Sequence, residues 1–84
     1  MVIGGMNMFR WKEYEGNSAL FIDGIDTNVA ILRHKDHQLT DSITGTKKKI
    51  NAISIEDAKR ASEKFLIDYW KKVKSEIDKV MENI

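Results

Sequence analysis

Two histidines and two aspartates lie close together in the middle of the chain, at His34, Asp36, His37 and Asp41. Imidazole and carboxylate groups ligate metals and act as general acids and bases. Their spacing does not place both imidazoles reliably on one face, and the sequence has no cysteine and no third histidine to complete a metal site. We therefore interpret the two histidines as solvated turn residues and expect no metal and no catalytic residue in this group.

Three consecutive lysines, Lys47 to Lys49, are the sharpest polar feature of the sequence. Ammonium groups in or beside a hairpin suit contact with phosphate, although a charged edge strand that resists aggregation is an equally good interpretation. Residues 33–49 have a net charge of +3, residues 10–26 one of −2, and the whole chain only +1. A basic patch would therefore be local. The candidate nucleic-acid-binding residues are Arg33, Lys35, Lys47, Lys48, Lys49 and Arg60.

Length, composition and motifs narrow the class of protein. The 84 residues, of 9.7 kDa, are enough for one domain with a thin core, and no cysteine is present to form a disulfide. We find no nucleophile elbow, Walker-type glycine loop or dinucleotide fingerprint. No apolar run approaches the roughly 18 residues of a membrane span, and no signal peptide is evident. We expect a cytoplasmic protein that is not an enzyme, needs no cofactor and has no membrane partner.

The elements that must position these residues begin with a sheet. Residues 1–7 contain two glycines and are predicted to be a flexible N-terminus, followed by a single domain at 8–84. In the first strand, Arg10, Lys12 and Tyr14 alternate with the residues of the other face. Short alternating segments separated by turns predict a three- to four-stranded antiparallel meander within residues 8–53. The predicted strands span residues 8–14, 19–23, 29–34 and 37–44.

The remainder of the chain predicts one long amphipathic helix, so the fold class is α+β. Ser54 is a preferred N-cap, and Glu56 and Asp57 follow it in the first turn, where the helix dipole favours anions. Neither Gly nor Pro interrupts the chain from there on, which predicts helix through residues 54–82. The helix would pack on the sheet through its apolar stripe.

The helix is too long for its own sheet. It would span about 40 Å, whereas strands of five to seven residues reach only about 17–24 Å. Its apolar residues continue at intervals of three and four to the last residue, as in helices that pack along a second element. Burial against another protein, in a homodimer or a hetero-complex, is favoured over a helix that bends back and over cover by the chain's own N-terminal segment. The candidate protein-binding residues are Trp70, Val73, Ile77, Val80 and Ile84.

Two resemblances add expectations about function. The segment from Gly45 to Lys48, followed by a helix that opens with residues 58–61, is similar to the last strand and second helix of double-stranded-RNA-binding domains. The likeness covers residues 18–66 and implies that the lysines contact RNA phosphates. The chain departs from that family because the lysines precede the helix cap by several residues and the family's N-terminal helix is absent.

In format, the chain resembles the small accessory proteins of tailed phages that neutralise host toxin or defence proteins by binding them. The aromatic first strand at 9–12, the meander and the helix that opens at 54–59 carry this likeness. It implies an inhibitor or regulator of another protein, placed in the host cytoplasm if phage-encoded. This is the favoured hypothesis, and such a protein would bind through the exposed half of the helix and the basic hairpin. An RNA-binding module based on Lys47, Lys48 and Lys49 is the alternative.

Overall fold

A computed structural model describes residues 8–84, so the prediction for residues 1–7 lies outside the described residues. Five strands form one antiparallel sheet in chain order, and a single helix follows them, which confirms the α+β meander with one long C-terminal helix. The elements are β1 (Phe9–Tyr14), β2 (Asn17–Ile22), β3 (Ala30–Arg33), β4 (Gln38–Asp41), β5 (Lys47–Lys49) and α1 (Ile55–Glu82).

The sheet has one strand more than predicted, because the lysine triplet is itself a strand. β5 pairs with β4, so that Thr40 lies opposite Lys47 and Gln38 lies opposite Lys49. The predicted fourth strand is correspondingly shorter, since Asp41 ends it. The Asp41 carboxylate accepts hydrogen bonds from the backbone N–H of Ile43 and from the Thr44 hydroxyl, at 2.9 Å and 2.6 Å. This arrangement turns the chain back into β5.

The first hairpin shows the expected turn chemistry. Tyr14 pairs with Asn17, which leaves Glu15 and Gly16 as a two-residue turn. Gly16 has a φ of 80°, a conformation that glycine adopts without steric strain. The turn fixes the register of β1 on β2 and therefore which side chains of β1 face the helix.

The core lies between one face of the sheet and the first half of α1. Leu20, Leu32 and Leu39 from three neighbouring strands are fully buried and pack in one cluster with Ala58 and Leu66 of the helix. Apolar burial of this kind is the main favourable contribution to folding. The core is small, as the chain length implies.

The helix begins and ends where the sequence predicts. The Ser54 hydroxyl accepts a hydrogen bond from the backbone N–H of Asp57 at 3.1 Å, and helical geometry continues to Glu82. Two side-chain contacts with β1 position it on the sheet: Lys59 Nζ donates to Glu13 Oε2 at 2.6 Å, and Trp11 Nε1 donates to Glu63 Oε2 at 2.7 Å. Further along, the Tyr69 hydroxyl lies 2.8 Å from Thr46 Oγ1.

Candidate nucleic-acid interface

The sheet has a face that α1 does not cover, which we call the open face. Trp11 and Glu13 contact the helix, so the alternating residues of β1 point to the opposite side. The strand register extends this assignment across the sheet. The strand residues of the open face are Arg10, Lys12, Tyr14, Asn17, Ala19, Phe21, Ile31, Arg33, Gln38, Thr40, Lys47 and Lys49.

All charged strand residues of the open face are basic. Lys12 lies on one edge strand and Lys47 and Lys49 lie on the other, while Arg33 lies between them on β3. Five strands spaced about 4.8 Å apart extend roughly 19 Å across the face. The positive charge is therefore spread over the sheet rather than confined to the lysine triplet.

Two of the five basic strand residues of the open face already form an ion pair with a carboxylate of a neighbouring turn. Arg10 Nε lies 2.7 Å from Asp23 Oδ1. Arg33 binds Asp36 through two nitrogens, at 2.6 Å and 2.9 Å, and this hydrogen bonding lowers the pKa of Asp36 to about 2. Within residues 8–84, the lysines of the open face form no ion pair. Their ammonium groups can therefore contact an external anion without displacing a carboxylate.

Aromatic rings lie among these cations. Lys12 Nζ is 5.6 Å from the centroid of the Tyr14 ring, and Arg10 Cζ is 5.9 Å from that of Phe21. Tyr14 is half exposed. A surface that combines cationic groups with accessible rings can contact phosphates and stack on unpaired bases.

The structure divides the six residues that the sequence selected for nucleic-acid binding. Three of them share the open face: Arg33, Lys47 and Lys49. Lys35 lines a shallow cleft to which Lys49 also contributes. Lys48 points to the other side of the sheet, where its Nζ lies 5.8 Å from the Phe65 ring centroid.

The sixth of these residues, Arg60, lies on the helix. Its guanidinium is 3.6 Å from Asp57 Oδ1, within the first turns of α1. Arg60 therefore does not lie on the sheet, and its part in nucleic-acid binding stays a prediction. The triplet alternates between the two faces because it is a strand.

Sequence reasoning missed Arg10 and Lys12 as parts of this surface. The alternation of β1 placed them on one face, but the net charge of residues 10–26 is negative, which did not indicate a basic surface there. In the structure, Glu13 faces the helix, while Glu15, Asp23 and Asp26 follow the strand ends. Counting charge separately for the two faces of each strand is the signal that would have found the two residues.

The predicted protein-binding residues also separate into two groups. Trp70 packs against the core, and its indole N–H is buried without a hydrogen-bond partner among the described residues. Trp70 therefore lies at the end of the stripe that packs against the core, and its binding to a partner stays a prediction. Val73 is half-buried.

Beyond Val73 the helix is exposed throughout, and we call residues 75–84 the helix tail. Ile77, Val80 and Ile84 are 55%, 59% and 92% exposed, and Met81, which sequence reasoning did not select, is 63% exposed. Their spacing places them on one side of the helix. The described part of the chain leaves this side uncovered.

His34 and the two central aspartates bond to different partners rather than to one another. His34 Nε2 lies 2.7 Å from the Ser18 hydroxyl, which in turn donates to Glu13 Oε1 at 2.7 Å. Ser18 is fully buried, so its hydroxyl cannot reach a substrate as a nucleophile. Within residues 8–84, no group of three or more histidine, aspartate and glutamate side chains is arranged to hold a metal ion.

No protein-family model, curated protein or solved structure matches this chain. Within the described residues, no helix is long and apolar enough to cross a lipid bilayer. Function is therefore inferred from the two uncovered surfaces, the open face and the helix tail.

Proposed function

We propose that this protein binds single-stranded nucleic acid on the open face of its sheet and acts as a binding protein without catalysis. The observation that carries the proposal is the charge of that face, whose strand residues include Arg10, Lys12, Arg33, Lys47 and Lys49 and no acidic residue. A polyanion is the partner whose chemistry matches such a surface, and release of its counterions drives binding.

The aromatic residues favour single strands over duplex. Tyr14 and Phe21 lie on the same face as the cations, and each has a cationic group within 6 Å of its ring. Bases stack on such rings only when they are unpaired, and each stacked base contributes about 1–3 kcal/mol. RNA and DNA share this chemistry, so both are included in the test.

The test is a salt titration with a labelled, unstructured oligonucleotide, followed by fluorescence anisotropy. With three to five phosphates neutralised, log K should fall against log salt with a slope of about −2 to −3.5. The triple variant Lys12→Ala/Lys47→Ala/Lys49→Ala should lower affinity at least about tenfold at about 50 mM salt and flatten the slope by about 2.

A matched control removes the same charge from another surface. Lys64, Lys71 and Lys72 are exposed on the helix, away from the sheet. The triple Lys→Ala variant at these positions should bind almost as well as the wild type. Equal losses in the two variants would show that only net charge matters, and no binding of RNA or DNA at about 50 mM salt would overturn the proposal.

A second candidate function is binding of another protein through the helix tail, as expected of an inhibitor or regulator. The observation that favours it is the exposed stripe formed by Ile77, Val80, Met81 and Ile84. Amphipathic helices dock into partner grooves through residues spaced in this way. A second copy of the chain and a foreign protein are both partners of this kind.

Light scattering and site-specific cross-linking test this candidate. Ile77→Asp should abolish self-association if the partner is a second copy, whereas Ile43→Asp, which changes an equally exposed residue in the β4–β5 turn, should not. A photo-cross-linker at position 80 should capture a foreign partner in the producing cell, and one at position 43 should not. A monomer that cross-links to nothing through position 80 would contradict this function.

A further inference from the structure

The open face contains a cleft at its β1 edge, where the segment after β2 folds beside the strand. Its volume is about 300 Å³, at the lower end of small-molecule sites, which suits one flat group rather than an extended ligand. The lining residues are Arg10, Trp11, Lys12, Phe21, Ile25 and Asp26.

The cleft combines an aromatic ring with an apolar side chain. The Phe21 ring has the Arg10 guanidinium 5.9 Å from its centroid. Ile25 is held beside it by a turn in which its backbone N–H donates to the carbonyl oxygen of Ile22 at 3.0 Å. Proteins stack unpaired bases on aromatic rings and guanidinium planes, and apolar side chains also pack against the faces of extruded bases.

Asp26 supplies the cleft with a carboxylate that can accept hydrogen bonds. Asp23, in the same segment, is held by Arg10, but Asp26 has no hydrogen bond and no ion pair with any described residue. A carboxylate can accept two N–H groups side by side. It repels carbonyl oxygens and ring nitrogens that carry lone pairs.

We propose that this cleft binds an unpaired guanine base of the strand held on the open face. Among the common bases, only guanine presents two adjacent donors, N1–H and the N2 amino group, on its Watson–Crick edge, and both can be accepted by the Asp26 carboxylate. Adenine and cytosine offer one amino group beside an acceptor nitrogen, and uracil and thymine offer one N–H between two carbonyls. This inference rests on the proposed function and adds base preference to it.

The test uses four short, unstructured oligonucleotides that differ only in one central base. Wild-type protein should bind the guanine oligonucleotide about tenfold more tightly than the uracil one, near the lower end for a bidentate contact, because the cleft is open to water. Asp26→Asn should remove this preference, since an amide offers one acceptor and one donor. Its affinity for the uracil oligonucleotide should not fall, because a negative charge has been removed from a basic face.

A control variant separates local from general effects of charge. Asp78→Asn makes the same chemical change on the helix tail and should leave the guanine preference intact. Retained affinity of Asp26→Asn for the uracil oligonucleotide also shows that the variant is folded. A loss of preference in both variants would contradict the assignment of the contact to Asp26.

The outcomes distinguish this inference from the proposed function. If the wild type binds no oligonucleotide, the proposed function fails and the base preference fails with it. If it binds all four equally, or if Asp26→Asn keeps the preference, only the guanine site is overturned and binding to the phosphate backbone stands. Competition by free guanosine monophosphate as effective as that by the guanine oligonucleotide would assign the cleft to a free nucleotide and contradict a strand-bound base.

Discussion

Glu13 uses both of its carboxylate oxygens: one joins the first hairpin to the helix, and the other accepts a hydrogen bond within the hairpin. One accepts from Lys59 at 2.6 Å and the other from Ser18 at 2.7 Å. The Lys59 side chain is only 12% exposed, whereas that of Glu13 is 54% exposed. Burial lowers the pKa of Lys59, but the hydrogen bonds to Glu13 and Glu56 outweigh it and raise the pKa above its ordinary value. The pair therefore stays charged at neutral pH.

Glu13 should contribute to the decrease in the free energy of unfolding at acid pH. The hydrogen bond from Lys59, followed by that from Ser18, lowers the pKa of Glu13 below its ordinary value of 4.5. Between pH 4.5 and the lower pKa of the folded state, the unfolded chain therefore binds more protons than the folded chain. The contribution of Glu13 is complete above pH 4.5 and is lost as the pH falls through the folded-state pKa.

Glu13→Gln should therefore destabilise the protein at neutral pH by about 1 kcal/mol, close to the value of exposed pairs because Glu13 is half exposed. The difference from the wild type should shrink below pH 4.5, as measured by urea denaturation at several pH values. Glu15→Gln is the control, since Glu15 has no ion pair within residues 8–84. A Glu13→Gln deficit that persists unchanged into acid would mean that packing, rather than the charged pair, is responsible.

Among the elements, the helix was the most predictable from sequence. Ser54 marks its start, and the apolar spacing of three and four continues without interruption, so both bounds could be predicted. The same periodicity does not tell where the sheet ends beneath the helix. Trp70 was selected together with the exposed residues of the stripe, and the structure packs it against the core. Periodicity identifies a face, and only the tertiary structure identifies what covers it.

The fifth strand was less predictable because lysine has a low preference for strands. β5 forms because the turn after Asp41 returns the chain beside β4, which has backbone groups free to pair. Lys48 then covers part of the Phe65 ring. The open face depends on this strand and on the side of the sheet that the helix occupies. Neither follows from local sequence, which explains why only three of the five proposed cations, Arg33, Lys47 and Lys49, were predicted from the sequence.

At the scale of the whole molecule, the two surfaces that residues 8–84 leave uncovered lie on different parts of the structure. The open face belongs to the sheet, and the helix tail extends past the core of a molecule measuring 44 × 30 × 24 Å. Ala58, Ser62 and Leu66, the buried residues of the helix, all lie in its first half. The two proposed binding activities therefore use separate residues and can be separated experimentally.

Deleting the helix tail, residues 75–84, should separate them. Every residue removed is exposed, so the free energy of unfolding should change by less than about 1 kcal/mol, whereas Leu66→Ala in the core should lower it by about 2–5 kcal/mol. Oligonucleotide binding should survive, because the open face is intact, and any association with protein should be lost. Thermal unfolding at several protein concentrations measures the outcome. A large, concentration-dependent loss of stability on deletion would show that a second copy covers the tail and completes the core.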